Sequence, residues 1–348
     1  MSYKTKQDCL KCTLVLSLLL TCLVSKSQYD FGRVDKLLAT NQKALGNRVA
    51  AMVYKDGKIV YQKELGEFTV KSQAPVASCS KWLTAALVMT FVDEGKLSLD
   101  EKVSTYLPIF ETYSKGYVTL RQCLAHETGI ADSKGIGKIL EHKKFESLEE
   151  EVNSFAKKEI AANAGKAFFY GNIGPDIAAR VVEIVAKKSF ETLIKTRILT
   201  PLMMRHTTFS GDADLVDPAN GALSSAADYM NFLTMILDKG MFMGKRVLSE
   251  KAVAEMGTIQ NKNIPIKYTP KIAEGFDYGL GQWIQETDAS GNSTVVSCPG
   301  LFGTWPYVDK CRSYACIIFT KNLLGDEKRD IYIQIKKAID EQITTTCN

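Results

Sequence analysis

Ser78 and Lys81 stand three residues apart in "PVASCSKWLTAAL", residues 75–87, at the head of an apolar run. Residues three apart on a helix share a face, whereas neighbours point apart, so Ser78 can meet Lys81 and Ser80 cannot. The positive end of a helix dipole favours an alkoxide at the first turn. A lysine desolvated against "WLTAALVMTFV" binds its proton less tightly and can act as a base. The pair has the makings of a nucleophile with its own base. The same spacing recurs at Ser154 and Lys157, but "SLEEEVNSFAKKEI" reads as a charged surface helix with nothing to bury its lysine.

Such a nucleophile needs a second group to carry the proton to the leaving group. Tyr170 in "KAFFYGNIGPD" is a candidate, with Asn172 two residues on, in a loop that turns at Gly171 and enters a helix near Pro175. Tyr229 and Asn231 repeat the pattern inside "AADYMNFLTMIL", where packing is the expected role. The histidines are His126, His142 and His206. His126, before Glu-Thr-Gly, reads as a hydrogen-bonded structural residue rather than a base. No serine is flanked as Gly-x-Ser-x-Gly, which argues against a Ser-His-Asp triad on an α/β-hydrolase scaffold.

The elements that must position these groups are legible in outline. "DFGRVDKLLATNQKAL" has helical spacing, and "RVAAMVYKDGKIVYQKELG" reads as a hairpin around Lys55-Asp56-Gly57-Lys58. Residues 80–95 read as a helix, and helical periodicity dominates to about residue 240. β character returns in "YGLGQWIQE", "STVVSCPG" and "TWPYVDKCRSYACIIFTKN", before a last amphipathic helix in "DEKRDIYIQIKKAIDEQI". Strands at both ends with helices between them predict an α+β fold, an α/β sandwich with a helical subdomain. Its antiparallel sheet comes from both chain termini, is flanked by helices and carries a large all-helical insertion. With no repeat or linker, residues 28–348 read as one composite domain, with a sheet subdomain over about 28–77 and 240–348 and a helical one over about 78–239.

The composition, 45% hydrophobic and 24% charged in 348 residues, is that of a soluble globular protein. Lys4, Lys6 and Lys11 precede the apolar stretch "TLVLSLLLTCLV", which ends at small residues, so residues 1–27 read as a secretory signal peptide. The stretch is short for a membrane span, which takes about 20 residues. Lipidation at Cys22 is the weaker alternative, because Thr21 suits a lipobox poorly. Removing Lys4, Lys6, Lys11, Lys26 and Asp8 with the signal lowers the formal charge from +5 to +2, leaving no basic stripe for nucleic acid. A periplasmic or secreted location follows as an expectation. Cys79, Cys123, Cys298, Cys311, Cys316 and Cys347 remain, without the spacing of a disulfide framework, and mostly free buried thiols are expected. Neither a metal site nor a cofactor is expected.

The order of these pieces resembles the serine β-lactamase and penicillin-binding superfamily, in its class C-like branch of β-lactamases, D-alanyl-D-alanine peptidases and esterases. The resemblance runs over nearly all of the chain after residue 27. Besides Ser78 with Lys81 and Tyr170 with Asn172, "VTLRQCLAHETGI" (118–130) resembles the segment that usually ends in His-Thr-Ser-Gly-Leu. "YGNIGPDIAARVVEIVAKKSFETLIKTRILTPLMMRHTTF" (170–209) and "GALSSAADYMNFL" (221–233) resemble two further landmarks. The resemblance implies that Ser78 attacks a carbonyl while Lys81 and Tyr170 take its proton. Tyr170 then protonates the leaving group, Asn172 orients substrate and Lys81, and water hydrolyses the acyl-enzyme.

One departure bears on the substrate. The third motif of the family is normally Lys-Thr-Gly or His-x-Gly, and at the matching place stand Cys298, Pro299 and Gly300. A neutral thiol there forfeits a charge-assisted hydrogen bond to a substrate carboxylate, about 1.5–3 kcal/mol. Gly300 still allows close approach, and the amides of Leu301 and Ser78 can form an oxyanion hole. The expectation is a serine hydrolase for small-molecule or peptide-like esters or amides, with weak β-lactamase activity. A catalytically silent relative that binds such ligands is the alternative. Trp305 and Tyr307 are expected to line the acyl pocket or to pack against the sheet.

Overall fold

The computed structural model describes residues 29–131, 145–209 and 216–347. The expected signal peptide, Cys22 and His142 lie outside the described residues.

Helix α1 (Gly32–Thr40) is followed by strands β1 (Arg48–Lys55) and β2 (Lys58–Gly66), joined at Asp56 and Gly57, both of which have positive φ. Helices then dominate. They include α2 (Ser80–Asp93), α3 (Leu120–Leu124), α4 (Leu148–Lys157), α5 (Ile173–Ala186) and α6 (Ala226–Leu237). The chain returns to the sheet with β3 (Asp277–Tyr278), β4 (Trp283–Thr287), β5 (Ser293–Ser297), β6 (Trp305–Asp309) and β7 (Tyr314–Thr320), and then forms helix α7 (Arg329–Asp340). The seven strands form one antiparallel sheet in the order β2-β1-β7-β6-β5-β4-β3, so the last long strand pairs with the first.

Two apolar cores form because strand residues alternate between faces. In β7, Ala315, Ile317 and Phe319 face the helical body with α2, whereas Tyr314, Cys316 and Ile318 face α1 and α7. Trp305 and Tyr307 of β6 share the second face, and Trp305 stacks on Tyr332 of α7 with ring centroids 4.7 Å apart. They therefore pack against the sheet and line no acyl pocket.

Helix α2 carries the sequence pair. Every residue from Ser80 to Phe91 is buried, which is why "WLTAALVMTF" shows no polar stripe. Tyr229 lies wholly buried in α6 and donates to the Cys79 carbonyl at 2.8 Å, and Asn231 donates to the Leu202 carbonyl, so this second Tyr-x-Asn is packing. On α4, Ser154 donates to the Glu151 carbonyl while Lys157 is exposed.

The cysteines depart in part from expectation. Cys79, Cys123, Cys298 and Cys316 are free and buried, but Cys311 and Cys347 form a disulfide. The tail is brought there by Thr346, whose N–H and hydroxyl both donate to the Cys311 carbonyl. Among the described residues no helix is long and apolar enough to cross a membrane.

Candidate active site

Ser78 lies in a 3₁₀ turn, Ala77–Cys79, that runs directly into α2. Ala77 before it has a φ of 45°, a left-handed conformation that costs a β-carbon-bearing residue energy and that sites under functional constraint often hold. The continuous turn keeps the i, i+3 relation, and Lys81 Nζ lies 3.3 Å from Ser78 Oγ. Ser80 points away, donating to the Ala77 carbonyl at 2.6 Å and accepting from the Ala222 N–H at 3.0 Å.

Lys81 is 1% exposed, and its charge is met by oxygens. Its ammonium lies 3.3 Å from Asn172 Oδ1, 3.1 Å from the Ala219 carbonyl and 3.1 Å from Asn220 Oδ1. Asn172 stands at the N-terminal boundary of α5 with its side chain on the lysine instead of the helix, so the tyrosine loop is tied to the lysine at the point where it becomes a helix. The Tyr170 ring centroid stands 5.1 Å from Lys81 Nζ, and the phenol hydrogen-bonds Ser78. Burial drives the Tyr170 phenol well above its usual pKa, and the hydrogen bond to Ser78 opposes the shift. Its ring is held by His126 at 4.6 Å and Trp283 at 4.9 Å.

His126 is buried beside this loop. Its Nδ1 accepts from the Gly171 N–H at 3.3 Å, and its Nε2 meets the Tyr278 hydroxyl at 3.0 Å. An accepting Nδ1 leaves the ring proton on Nε2, so the neutral ring is the tautomer that satisfies both contacts. It braces the residue between Tyr170 and Asn172, the structural role its sequence context suggests.

Opposite the turn, Gly300 must be glycine: a β-carbon there would lie 2.1 Å from the Val76 carbonyl oxygen and 3.1 Å from Cys79 Sγ. The segment after β5 is thereby pressed onto the Ala77–Cys79 turn. Leu301 follows, 42% exposed, and among the described residues its backbone N–H meets no protein acceptor. Cys298 corrects the sequence reading. Expected to contact substrate, it is fully buried, with its thiol directed at the Ser78 carbonyl at 3.1 Å. The alternation of β5 points it into the helical core beneath the serine. Burial pushes its thiol up to about 12, with the Lys81 charge pulling the other way.

Asn220 was missed by sequence reasoning. It sits some 140 residues from the serine and lysine and carries no motif, and only the loop Asp217–Gly221, laid along α2, brings it to them. Thr84 donates to the Pro218 carbonyl at 2.7 Å, Lys81 to Ala219, and the Ala222 N–H to Ser80, so successive positions of α2 grip that loop.

A serine hydrogen-bonded to a buried lysine and a buried tyrosine, against an antiparallel sheet, is the arrangement of a serine hydrolase. The Beta-lactamase family model matches residues 35–338, and the chain belongs to that family. It is 27% identical over 187 residues to teichoic acid D-alanine hydrolase of Staphylococcus aureus, an alignment covering 51% of this chain and 44% of the relative. Protein flp of Staphylococcus aureus is also 27% identical, over 169 residues, 45% of this chain and 34% of the relative. The chain thus spans less than half the length of these curated relatives. Among solved structures, a β-lactamase candidate from Bacteroides dorei superposes with a TM-score of 0.80 at 26% identity, covering 90% of this chain and 99% of that one.

Proposed function

We propose that the protein hydrolyses small esters through an acyl-enzyme on Ser78, with Lys81 and Tyr170 handling the proton. The observation that carries this reading is the contact of Ser78 Oγ with both Lys81 Nζ, at 3.3 Å, and the Tyr170 phenol. Ser78 attacks the carbonyl as its proton passes to the lysine–tyrosine pair, and Tyr170 returns that proton to the leaving alkoxide. The oxyanion is met by the Ser78 and Leu301 amides, which are preorganised where the charge develops. Asn172 holds Lys81 and the near side of the substrate. Water then takes the place of the leaving group and frees the serine.

Esters without a free carboxylate fit best. At the place where the family's third motif supplies a cation, this chain has the neutral, buried Cys298. A relative whose name specifies D-alanine hydrolysis from teichoic acid adds aminoacyl esters to the candidates, because their acyl group carries an ammonium and no carboxylate. A β-lactam, which presents a carboxylate, is expected to react slowly. The Cys311–Cys347 disulfide supports export, since such bonds persist in oxidising compartments.

Hydrolysis of p-nitrophenyl acetate by the wild type and by Ser78→Ala tests the reading. Turnover that disappears in the variant is the expected result. Turnover unaffected by the substitution places the chemistry elsewhere.

A further inference from the structure

We propose that Asn220 is a positioning residue that sets the protonation state of Lys81 and parks the Ser78 hydroxyl between turnovers, an inference that rests on the site proposed above.

The geometry leaves little freedom in how Asn220 is oriented. Its Nδ2 faces the Asp217 carboxylate, at 3.5 and 3.3 Å from the two oxygens, while Asp217 Oδ1 also accepts from the backbone N–H groups of Ala219 and Asn220 at 3.0 and 2.8 Å. An amide nitrogen donates to a carboxylate and its oxygen cannot, so the anchor fixes the flip. The oxygen is thereby aimed at the site, 3.1 Å from Lys81 Nζ and 3.4 Å from Ser78 Oγ.

Counting protons shows what this oxygen does. Three carbonyl-type oxygens face Lys81, from Asn172, Ala219 and Asn220, and each can only accept. An ammonium has three N–H donors for these carbonyl oxygens, with Ser78 Oγ a fourth neighbour at 3.3 Å that shares them. The Ser78 hydroxyl then gives its proton to Asn220, so Ser78 is parked with its hydrogen on an oxygen that is no base. A neutral amine offers only two N–H donors, together with the lone pair that takes the serine proton. The Asn220 oxygen is therefore the acceptor that favours the resting cation over the base. Removing it takes away one reason for the third proton and frees the serine hydrogen.

The other groups facing Lys81 do not replace it. Tyr170 comes from the loop before α5, Cys298 from the end of β5 and Cys79 from the turn before α2, and burial favours the neutral form of all three. Asp217 is the carboxylate of the loop, and it acts through the Asn220 amide.

The test is the pH dependence of kcat/KM for p-nitrophenyl acetate, measured on the full chain as wild type, Ser78→Ala, Asn220→Ala and Asn220→Asp. The rising limb reports formation of the base. In Asn220→Ala it is expected to move to lower pH by about one unit, the size expected for the loss of one hydrogen bond to a charged group. One unit below the wild-type midpoint, the variant then runs at about five times the wild-type fraction of its own plateau. Asn220→Asp, which puts a carboxylate against the ammonium, is expected to move the limb to higher pH, and it carries the test if the alanine variant fails to fold. A lowered plateau with an unmoved limb, the signature of a loosened loop, overturns the proposal while leaving Ser78 as nucleophile. Turnover that survives in Ser78→Ala overturns both readings.

Discussion

The thiol of Cys298 lies 3.1 Å from the backbone carbonyl of Ser78, so the cysteine is hydrogen-bonded to the serine's own peptide. This small buried donor braces the turn from below. Cys298→Ala is expected to lower the free energy of unfolding by about 1–2 kcal/mol, from the lost hydrogen bond and the small void. Cys298→Ser, which keeps a donor, should lose less. Urea denaturation compares the two, and equal stability of wild type and alanine variant would show that the contact braces nothing.

Glu127, next to His126, makes stability pH-dependent. The residue is 8% exposed, its Oε1 finds no hydrogen-bond partner among the described residues, and burial pushes the carboxyl up to about 7, with Arg121 pulling the other way. An acid whose pKa is higher folded than unfolded costs stability once it must ionise. The wild type should therefore lose stability as pH rises from about 4.5 to about 7, by up to about 3 kcal/mol. Glu127→Gln removes the titration. Unfolding measured at pH 5 and pH 8 should show a smaller difference for the variant, and an unchanged difference would mean that Glu127 does not titrate in this window.

The disulfide closes a loop of 36 residues, across β7 and α7. In the chain-entropy account such a bridge adds about 2–4 kcal/mol by restricting the unfolded chain. Cys347→Ser should lower the melting temperature without changing ester turnover at 25 °C, because neither cysteine touches the site. A variant that melts with the wild type would show that the tail is held by Thr346 alone.

Much of this protein was settled by local rules that the sequence displays. Helical pitch puts Ser78 and Lys81 on one face whatever surrounds them. The alternation in "YACIIFT" and "RVAAMVYK" requires a sheet buried on both sides, and the Asp56-Gly57 turn permits the hairpin. Other features depend on contacts between residues far apart in the chain, and there the local pattern is silent. Cys298 reads as a substrate contact until the register of β5 against β6 shows which way its side chain points. Cys311 and Cys347 are two thiols among six until the tail folds back against the end of β6. Asn220 is an ordinary loop residue in the sequence, and it becomes an acceptor for Lys81 only because Thr84, Lys81 and Ser80 fasten its loop along α2. Spacing along one helix is fixed by backbone geometry, whereas an acceptor drawn from 139 residues away is fixed by packing.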